Sequence, residues 1–317
     1  MDKPLVSIVT ITYNHEPWIS MAIEGVLMQK VSFPIEYIIA EDCSTDGTRK
    51  ICEQYARKYP DVIKLLPSDK NYGAVENEHR AFVAAKGKYI ATCEGDDYWT
   101  DPLKLQKQVD FLEAHPEYSV TFHRYQKHYL KSGRTEDDGC GFMFNDKENN
   151  EFVEISMYQF MHTWITQYLT MVFRKDRYDF EAYKRYNYFR DTHQMYHLLK
   201  NGKCGLFNFY GGVYQLTGDG EYSEMDSLKQ SQMTLAVDDE LWKVNNDERW
   251  CEMCAIVMQD IIDKFARKKL YKKLLLGYSF RIFLYTKGIG KLIKNITRIF
   301  IMLTIVERYI EEFIAFF

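Results

Sequence analysis

The sequence predicts an α/β protein built on a doubly wound, mostly parallel sheet that is followed by a helical extension. The first hundred residues alternate apolar runs of strand length with amphipathic helical patterns, and this order is typical of a parallel sheet covered by helices. From about residue 221 onward the pattern is helical alone. We therefore expect one domain over 1–222, with halves of about 1–100 and 101–222, and an extension over 223–317.

The first half contains four predicted strands with a helix between each pair. The strands are LVSIVTI, EYIIAED, VIKLLP and KYIATCE. The helices are WISMAIEGVLMQ, which has a single apolar stripe, then STDGTRKICEQYARKYP, which begins with capping residues, and GAVENEHRAFVAAKG. Ligands of such sheets bind beyond the carboxyl ends of the strands, so we expect the functional site there.

The second half is more varied. A helix is predicted over DPLKLQKQVDFLEAHP, with Pro102 in its first turn. The overlapping stretch YWTDPLKLQKQ is interpreted as the helix that directly follows EGDD. EYSVTFHRYQKHYL predicts a strand, and the charged segment KSGRTEDDGCGFMFNDKENN predicts a surface hairpin or a loop. A further helix and several strands complete the region in ISMYQFMHTWITQYLTMVFRK and NYFRDTHQMYHLLKNGKCGLFNFYGGVYQLTG.

Composition places the chain among ordinary globular proteins. Its 317 residues are 46% hydrophobic and 27% charged, with a formal net charge of -4, which excludes disordered, collagen-like and disulfide-scaffold classes. The seven cysteines form no paired framework, and this odd count indicates a reducing compartment. The N-terminal apolar stretch predicts a first strand rather than a signal peptide. We expect a cytoplasmic location.

The C-terminal region has an unusual charge pattern. Between residues 264 and 298 there are eleven Lys and Arg residues and no Asp or Glu, with apolar and aromatic residues in the gaps. Such helices are suited to lying on an anionic membrane surface, which would make the protein peripheral on the inner face of the membrane. The alternative is a helical cap packed on the main domain with its lysines in solvent. No nucleic-acid-binding motif accompanies the charge, so we expect no nucleic acid partner.

Polar turns follow three of the predicted strands. TYN (12–14), EDCSTDG (41–47) and EGDD (94–97) each come where a strand ends, so they are expected to converge at one edge of the sheet. The carboxylates of EGDD would repel one another unless a cation compensates them. Oxygen ligands suit Mg²⁺ or Mn²⁺, which complete their coordination with phosphate oxygens and water. The sequence contains neither of the glycine-rich phosphate-binding motifs G-x-x-x-x-G-K-(S/T) and G-x-G-x-x-G. A metal would therefore have to neutralise the charge of a diphosphate-bearing substrate.

These motifs, together with the N-x-G of Asn71 and Gly73, resemble the inverting family 2 glycosyltransferases of the GT-A fold over residues 4–222. The resemblance implies a mixed, mostly parallel sheet whose first half binds a nucleotide sugar, which we expect to be UDP-linked, and whose second half binds the acceptor. It implies that Asp42 recognises the nucleoside. The other nucleotide-binding residues that it implies are Thr12, Tyr13, Asn14, Asn71 and Asp96.

The resemblance also implies the reacting groups. Asp96 and Asp97 would hold Mn²⁺ or Mg²⁺, with the choice between them as direct ligand left open, and Glu94 would support them. Asp191 matches the acidic residue that starts a helix and acts as general base, although an Asp at this place can also be a helix N-cap. Trp164 and Thr166 are candidates for contact with a glycan or lipid-linked acceptor in surface polysaccharide synthesis.

Two other classes of function stay open on the sequence. A nucleotidyltransferase on a similar sheet would also use carboxylates and Mg²⁺, but it would be expected to have a glycine-rich, basic loop after its first strand, and TYNHEPW lacks one. An inactive nucleotide-sugar-binding scaffold would keep the fold without turnover. The presence of Asp42, Asp96, Asp97 and Asp191 together argues against the scaffold.

Overall fold

The computed structural model describes residues 3–144, 151–163, 165, 167–218 and 225–267. Trp164, Thr166 and nearly all of the basic segment 264–298 lie outside the described residues, so the predictions made for them stay predictions. The chain separates into two compact units, one formed by 1–184 with 190–223 and the other by 185–189 with 224–317.

The first unit contains the sheet. Its strands are β1 (Val6–Thr12), β2 (Ile35–Glu41), β3 (Ile63–Leu65), β4 (Tyr89–Thr92), β5 (Tyr98–Trp99), β6 (Tyr118–Tyr129), β7 (Arg134–Asp137), β8 (Phe152–Ile155), β9 (Val172–Arg174) and β10 (Lys203–Leu216). Its α-helices are α1 (Ile19–Leu27), α2 (Thr48–Lys58), α3 (Ala74–Ala84), α4 (Lys104–Ala114), α5 (Met157–His162) and α6 (Asp191–Lys200).

The strands form one mixed sheet in the order β3-β2-β1-β4-β9-β6-β10-β5, with β7 paired to β6 and β8 paired to β10. Strands β3, β2, β1 and β4 are parallel, and so are β6 and β10. Strand β9 lies antiparallel between β4 and β6. The predicted mixed, mostly parallel sheet is confirmed, and the carboxyl ends of β1, β2 and β4 meet at one edge.

The core lies around the parallel strands because helices cover both of their faces. Ile8 of β1, Ile39 of β2 and Ile90 of β4 are fully buried. Ile23 and Val26 on the apolar stripe of α1 are buried as well. Each side chain of this size contributes about 1.5–3 kcal/mol when it leaves water, so this core fixes the positions of the strand ends.

The structure differs from the prediction directly after EGDD. Tyr98 and Trp99 do not start a helix but form β5, which pairs antiparallel with β10. The buried indole of Trp99 donates a hydrogen bond to the carbonyl of Leu169 at 2.8 Å, which ties this strand to the core. Helix α4 begins only at Lys104, after Pro102. The predicted hairpin is present, because β6 and β7 pair antiparallel.

The second unit contains two long helices, α7 (Ser227–Asn245) and α8 (Glu248–Arg267). Asn246 joins them with a left-handed backbone, φ 52°, and its N–H donates to the carbonyl of Trp242 at 2.8 Å. Helices are therefore present after the sheet domain, as predicted. Within the part of the chain that the structure describes, no helix is both long and apolar enough to cross a bilayer.

One buried acid of α7 predicts how stability depends on pH. Asp238 is 3% exposed, and its Oδ2 has no hydrogen-bond partner among the described residues. Burial raises the pKa of Asp238 from 3.8 to about 8. The folded protein therefore binds more protons than the unfolded chain between these two values, so the free energy of unfolding falls as pH rises through this window.

Replacing Asp238 with asparagine should remove this loss of stability. We expect D238N to raise the midpoint of thermal unfolding by about 5 °C at pH values above about 8 and to change it little near about pH 4. The exposed Glu252 of α8 provides the matched control variant, E252Q. An equal gain at both pH values in scanning calorimetry would contradict the assignment of the loss to this carboxyl.

Candidate active site

The loop after β1 is hydrogen-bonded to the loop after β2. The carbonyl of Thr12 accepts from the N–H of Asp42 at 2.9 Å. Asn14 has a left-handed backbone, φ 55°, its N–H donates to the Oγ of Ser44 at 2.9 Å, and its Oδ1 accepts from the N–H of Thr45 at 2.9 Å. The two turns that the sequence predicted to converge therefore form one joined surface, and Asn14 contributes by fixing the loops.

Asp42 links this surface to a third loop. The residue is 3% exposed, and its Oδ1 accepts from the N–H of Tyr72 at 2.7 Å while its Oδ2 accepts from the N–H of Gly73 at 2.8 Å. The Oδ1 of Asn71 accepts from the same Gly73 N–H at 3.0 Å. Each carboxylate oxygen of Asp42 keeps a further lone pair for a ligand. The structure thus brings Asp42 and Asn71 together at the start of α3.

The EGDD turn packs directly against the end of β1. The N–H of Gly95 donates to the carbonyl of Ile11 at 3.0 Å. A Cβ atom at Gly95 would lie only 2.3 Å from the Oγ1 of Thr12, so a glycine is needed for this close approach. The Oγ1 of Thr12 is buried and has no partner among the described side chains. Tyr13, by contrast, is 42% exposed at the surface of the same loop.

The two aspartates of the turn have different surroundings. Asp97 is 1% exposed, and its Oδ1 accepts from the N–H of Gln215 on β10 at 2.9 Å. Its Oδ2 is buried without a hydrogen-bond partner in the described part of the chain. The Asp96 side chain keeps 23% of its surface exposed, and its Oδ1 lies 3.9 Å from the Nδ1 of His15. Asp97 is therefore anchored in the fold, whereas Asp96 is open to a ligand.

Negative charge accumulates at this turn. Burial raises the pKa of Asp97 well above its ordinary value, and the charge of Asp96 raises it further. Burial likewise raises the pKa of Glu94, with added contributions from the charges of Asp96, Asp191 and Glu78. The described residues that shift these two pKa values include no arginine or lysine. A site of this charge fits a divalent cation.

The oxygen ligands of Asp96 and Asp97 are those that Mn²⁺ and Mg²⁺ prefer. Across 3–144, 151–163, 165, 167–218 and 225–267, no three His, Cys, Asp or Glu side chains are arranged to hold a metal ion. One or two carboxylates suffice for these cations when phosphate oxygens and water complete the coordination. The residues present therefore fit a cation that binds together with a diphosphate.

Asp191 lies at the first position of α6, and Arg190 rather than Asp191 is the N-cap residue. The Oδ1 of Asp191 accepts from the N–H of Thr192 at 2.9 Å. Burial raises the pKa of Asp191 above 3.8. Its charge acts on Glu94 and on the phenol of Tyr214, which the EGDD carboxylates also influence. The predicted base thus lies close enough to the EGDD turn to interact with it electrostatically.

Sequence reasoning missed Glu78. This residue of α3 is 6% exposed, and its Oε2 accepts a hydrogen bond from the Nε2 of Gln194 on α6. Burial raises the pKa of Glu78 to about 7, and the charge of Asp191 contributes to the shift. A signal was present, because Asn77 and Glu78 occupy the buried stripe of α3 beside Ala81 and Phe82. Polar residues in such a stripe indicate a specific partner.

Comparison with known proteins defines the class as a GT-A-type glycosyltransferase fold. The chain belongs to glycosyl transferase family 2, whose model matches residues 7–170. An uncharacterized protein of Mycobacterium bovis is 49% identical over 118 residues, which are 37% of this chain and 34% of that one. The putative teichuronic acid biosynthesis glycosyltransferase TuaG of Bacillus subtilis is 41% identical over 111 residues, 35% of this chain and 42% of the relative. The similarity thus spans less than half of the length of these relatives.

Solved structures share the fold over most of the chain. The S. aureus TarS fragment in complex with UDP-GlcNAc has a TM-score of 0.61 at 16% identity and covers 92% of this chain and 88% of that one. The mannosyltransferase PcManGT of Pyrobaculum calidifontis, in complex with GDP-Man and Mn²⁺, has a TM-score of 0.52 at 14% identity, covering 93% and 88%. At these identities the likeness shows the fold.

Proposed function

We propose that the protein is a metal-dependent, inverting glycosyltransferase that moves a sugar from a UDP-linked donor to a glycan or lipid-linked acceptor in surface polysaccharide synthesis. The observation that carries the proposal is the meeting of the Asp42 loop, the EGDD turn and the first turn of α6 at one edge of the sheet. Membership of family 2 and the similarity to TuaG, a putative teichuronic acid biosynthesis glycosyltransferase, support it. The complex of TarS with UDP-GlcNAc supports the choice of donor.

The nucleotide pocket is proposed at the joined loops after β1 and β2. Asp42 has lone pairs left to accept hydrogen bonds from the nucleoside while its carboxylate holds the Asn71–Gly73 turn. The exposed ring of Tyr13 offers a face for stacking, and the unpartnered Oγ1 of Thr12 offers a polar contact. Asn14 keeps this surface in shape through its bonds to Ser44 and Thr45.

For the metal, we propose Asp96 as the direct ligand and Asp97 as the residue that positions it. The open carboxylate of Asp96 and the anchored carboxylate of Asp97 support this division. A bound Mn²⁺ or Mg²⁺ supplies positive charge that stabilises the departing nucleoside diphosphate. The Mn²⁺ in the PcManGT complex supports the choice of cation.

Asp191 is proposed as the general base. Its raised pKa suits proton transfer near neutral pH better than an ordinary aspartate does. The carboxylate would take the proton of the acceptor hydroxyl as the oxygen attacks the anomeric carbon from the face opposite the leaving nucleotide. The C–O bond to the acceptor forms while the bond to the diphosphate breaks, so the configuration inverts and a β-linkage results from an α-linked donor.

The acceptor side of the proposal rests on sequence. Trp164 and Thr166 are proposed to contact the acceptor sugar, and the basic segment 264–298 is proposed to keep the protein at the inner face of the membrane. Cosedimentation with anionic vesicles tests the membrane contact, and equal pelleting of the full chain and of a truncation before Lys264 would refute it.

The proposed function is tested by incubating the protein with Mn²⁺ and a panel of nucleotide sugars and measuring nucleoside diphosphate. We expect UDP release from one UDP-sugar, and we expect that donor to raise the unfolding temperature in the presence of Mn²⁺. Release of pyrophosphate from a nucleoside triphosphate would instead indicate a nucleotidyltransferase. Binding without any release or transfer would indicate a scaffold.

A further inference from the structure

Helix α3 connects the proposed nucleotide pocket with the proposed base. At its N-terminus, the N–H of Gly73 is bound to Asp42 at 2.8 Å. One turn further on, the buried Glu78 accepts a hydrogen bond from Gln194, which comes from a helix 116 residues away in the chain. The same helix therefore contacts Asp42 at its start and, through Glu78, contacts Gln194 on the helix that begins with Asp191.

Gln194 is placed to act on Asp191. The two residues are three positions apart on α6, so they lie on neighbouring parts of the same helix face. Gln194 is 3% exposed, and the adjacent His193 accepts through Nδ1 from the N–H of Arg190 at 3.1 Å, which closes the first turn. The bond to Glu78 then fixes this closed turn against α3.

A buried carboxyl is a costly way to join two helices. An apolar pair of similar volume would avoid the desolvation of an acid, and such replacements of buried polar pairs are often neutral or stabilising. Stability alone therefore does not explain why an acid lies at this point, beside Asp191 and Glu94. A requirement of the site for a fixed orientation of the two helices explains it better.

We propose that Glu78 is a positioning residue for Asp191: by holding Gln194 it sets the first turn of α6 in the orientation from which Asp191 accepts the proton. This inference rests on the proposed function. In this assignment Glu78 touches neither substrate nor metal and acts on Asp191 through Gln194. A displacement of about 1 Å at a reacting group can cost about 100-fold in rate, so loss of this bond should be visible in kcat.

The test compares E78L, Q194L and the double variant, assayed by UDP release from the donor that the panel identifies. We expect each single variant to lower kcat by about 10- to 100-fold and to leave KM for the donor within about twofold. The double variant should be no slower than the slower single variant, because the two side chains act as one unit. The exposed Glu76 of the same helix gives the matched control, E76Q.

The conservative variant E78Q adds a readout that a purely structural role would not move. The amide oxygen that this variant introduces can still accept a hydrogen bond from Gln194. If E78L is slow because it lacks this bond, kcat of E78Q at acidic pH should be within about threefold of the wild-type value. Glu78 faces Asp191 on α6, Glu94 after β4, and Tyr168 and Tyr178 on either side of β9. As pH rises through about 7, Glu78 ionises and accepts a stronger hydrogen bond, so the wild-type rate should rise through an inflection that E78Q lacks.

The outcomes separate this inference from the proposed function. Wild-type kcat in E78L, additive losses in the double variant, or a loss confined to KM would overturn the role of Glu78 while D191N stays inactive. Full activity of D191N would remove the base assignment itself. If thermal unfolding shows that E78L does not fold, the test rests on kcat of Q194L and on the pH profile of E78Q. A wild-type pH profile in E78Q together with wild-type kcat in Q194L would contradict the proposal.

Discussion

Asp191→Asn should lower kcat for sugar transfer by about 10²- to 10⁴-fold, the range that a general base contributes, while KM for the donor changes little. Asparagine keeps the volume of the side chain and the oxygen that accepts from Thr192, so α6 should retain its first turn. Only the capacity to take a proton is lost. The measurement is steady-state kinetics of UDP release with the donor and acceptor at varied concentration.

The pH dependence gives an independent check on the same residue. The base works only when ionised, so the wild-type rate should fall as pH decreases through the pKa of Asp191, which burial holds above the ordinary value of 3.8. D191N should lack this acid limb. Glu248 in the first turn of α8, in the second unit, supplies the control variant E248Q, which also removes an acid from the start of a helix. Retention of full activity in D191N would end the assignment.

Asp96→Asn should abolish metal-dependent donor binding. We expect the affinity for UDP measured by calorimetry with Mn²⁺ to fall by more than about 100-fold, because the open carboxylate is the proposed direct ligand. Asp97→Asn should have the smaller effect of about 10- to 100-fold that is typical of residues supporting a metal ligand. Removing Mn²⁺ with a chelator should reproduce the D96N result in the wild-type protein.

The contrast between the two aspartates makes this prediction specific. Asp97 keeps one oxygen on the N–H of Gln215, and asparagine can preserve that bond. The exposed Asp61 provides D61N as a control for the loss of one surface charge. UDP binding that is independent of metal and survives both D96N and D97N would contradict the metal role of the turn.

Most of the first half of the fold could be predicted because its signals are local. The apolar runs of β1, β2 and β4 and the stripe of α1 are periodicities within a few residues, and each corresponds to an observed element. Strand β5 could not be predicted in this way, because two residues have no period and their conformation depends on pairing with β10. The sequence reasoning accordingly extended the following helix too far towards its N-terminus.

In the candidate site, too, local features could be predicted from the sequence and contacts between distant elements could not. The residue types at the strand ends were visible in the sequence and indicated the family resemblance. That resemblance in turn singled out Asp42, the aspartates of the EGDD turn and, at the start of a helix, Asp191. The contact of Glu78 with Gln194 was not visible, because it joins two helices that are 116 residues apart. The shifted pKa values of Glu94 and Asp97 also depend on burial and on distances between elements.

The sequence by itself determined the fold class, the family resemblance and the acidic character of one sheet edge, because strand periodicity and the residues that follow each strand are properties of short stretches of sequence. It left open which of Asp96 and Asp97 faces a ligand. Tertiary structure decided their environments: β10 reaches the turn from 118 residues away and binds Asp97 through the N–H of Gln215. The Asp96 side chain keeps 23% of its surface exposed. A local sequence pattern does not contain the pairing with β10 that makes the two environments differ.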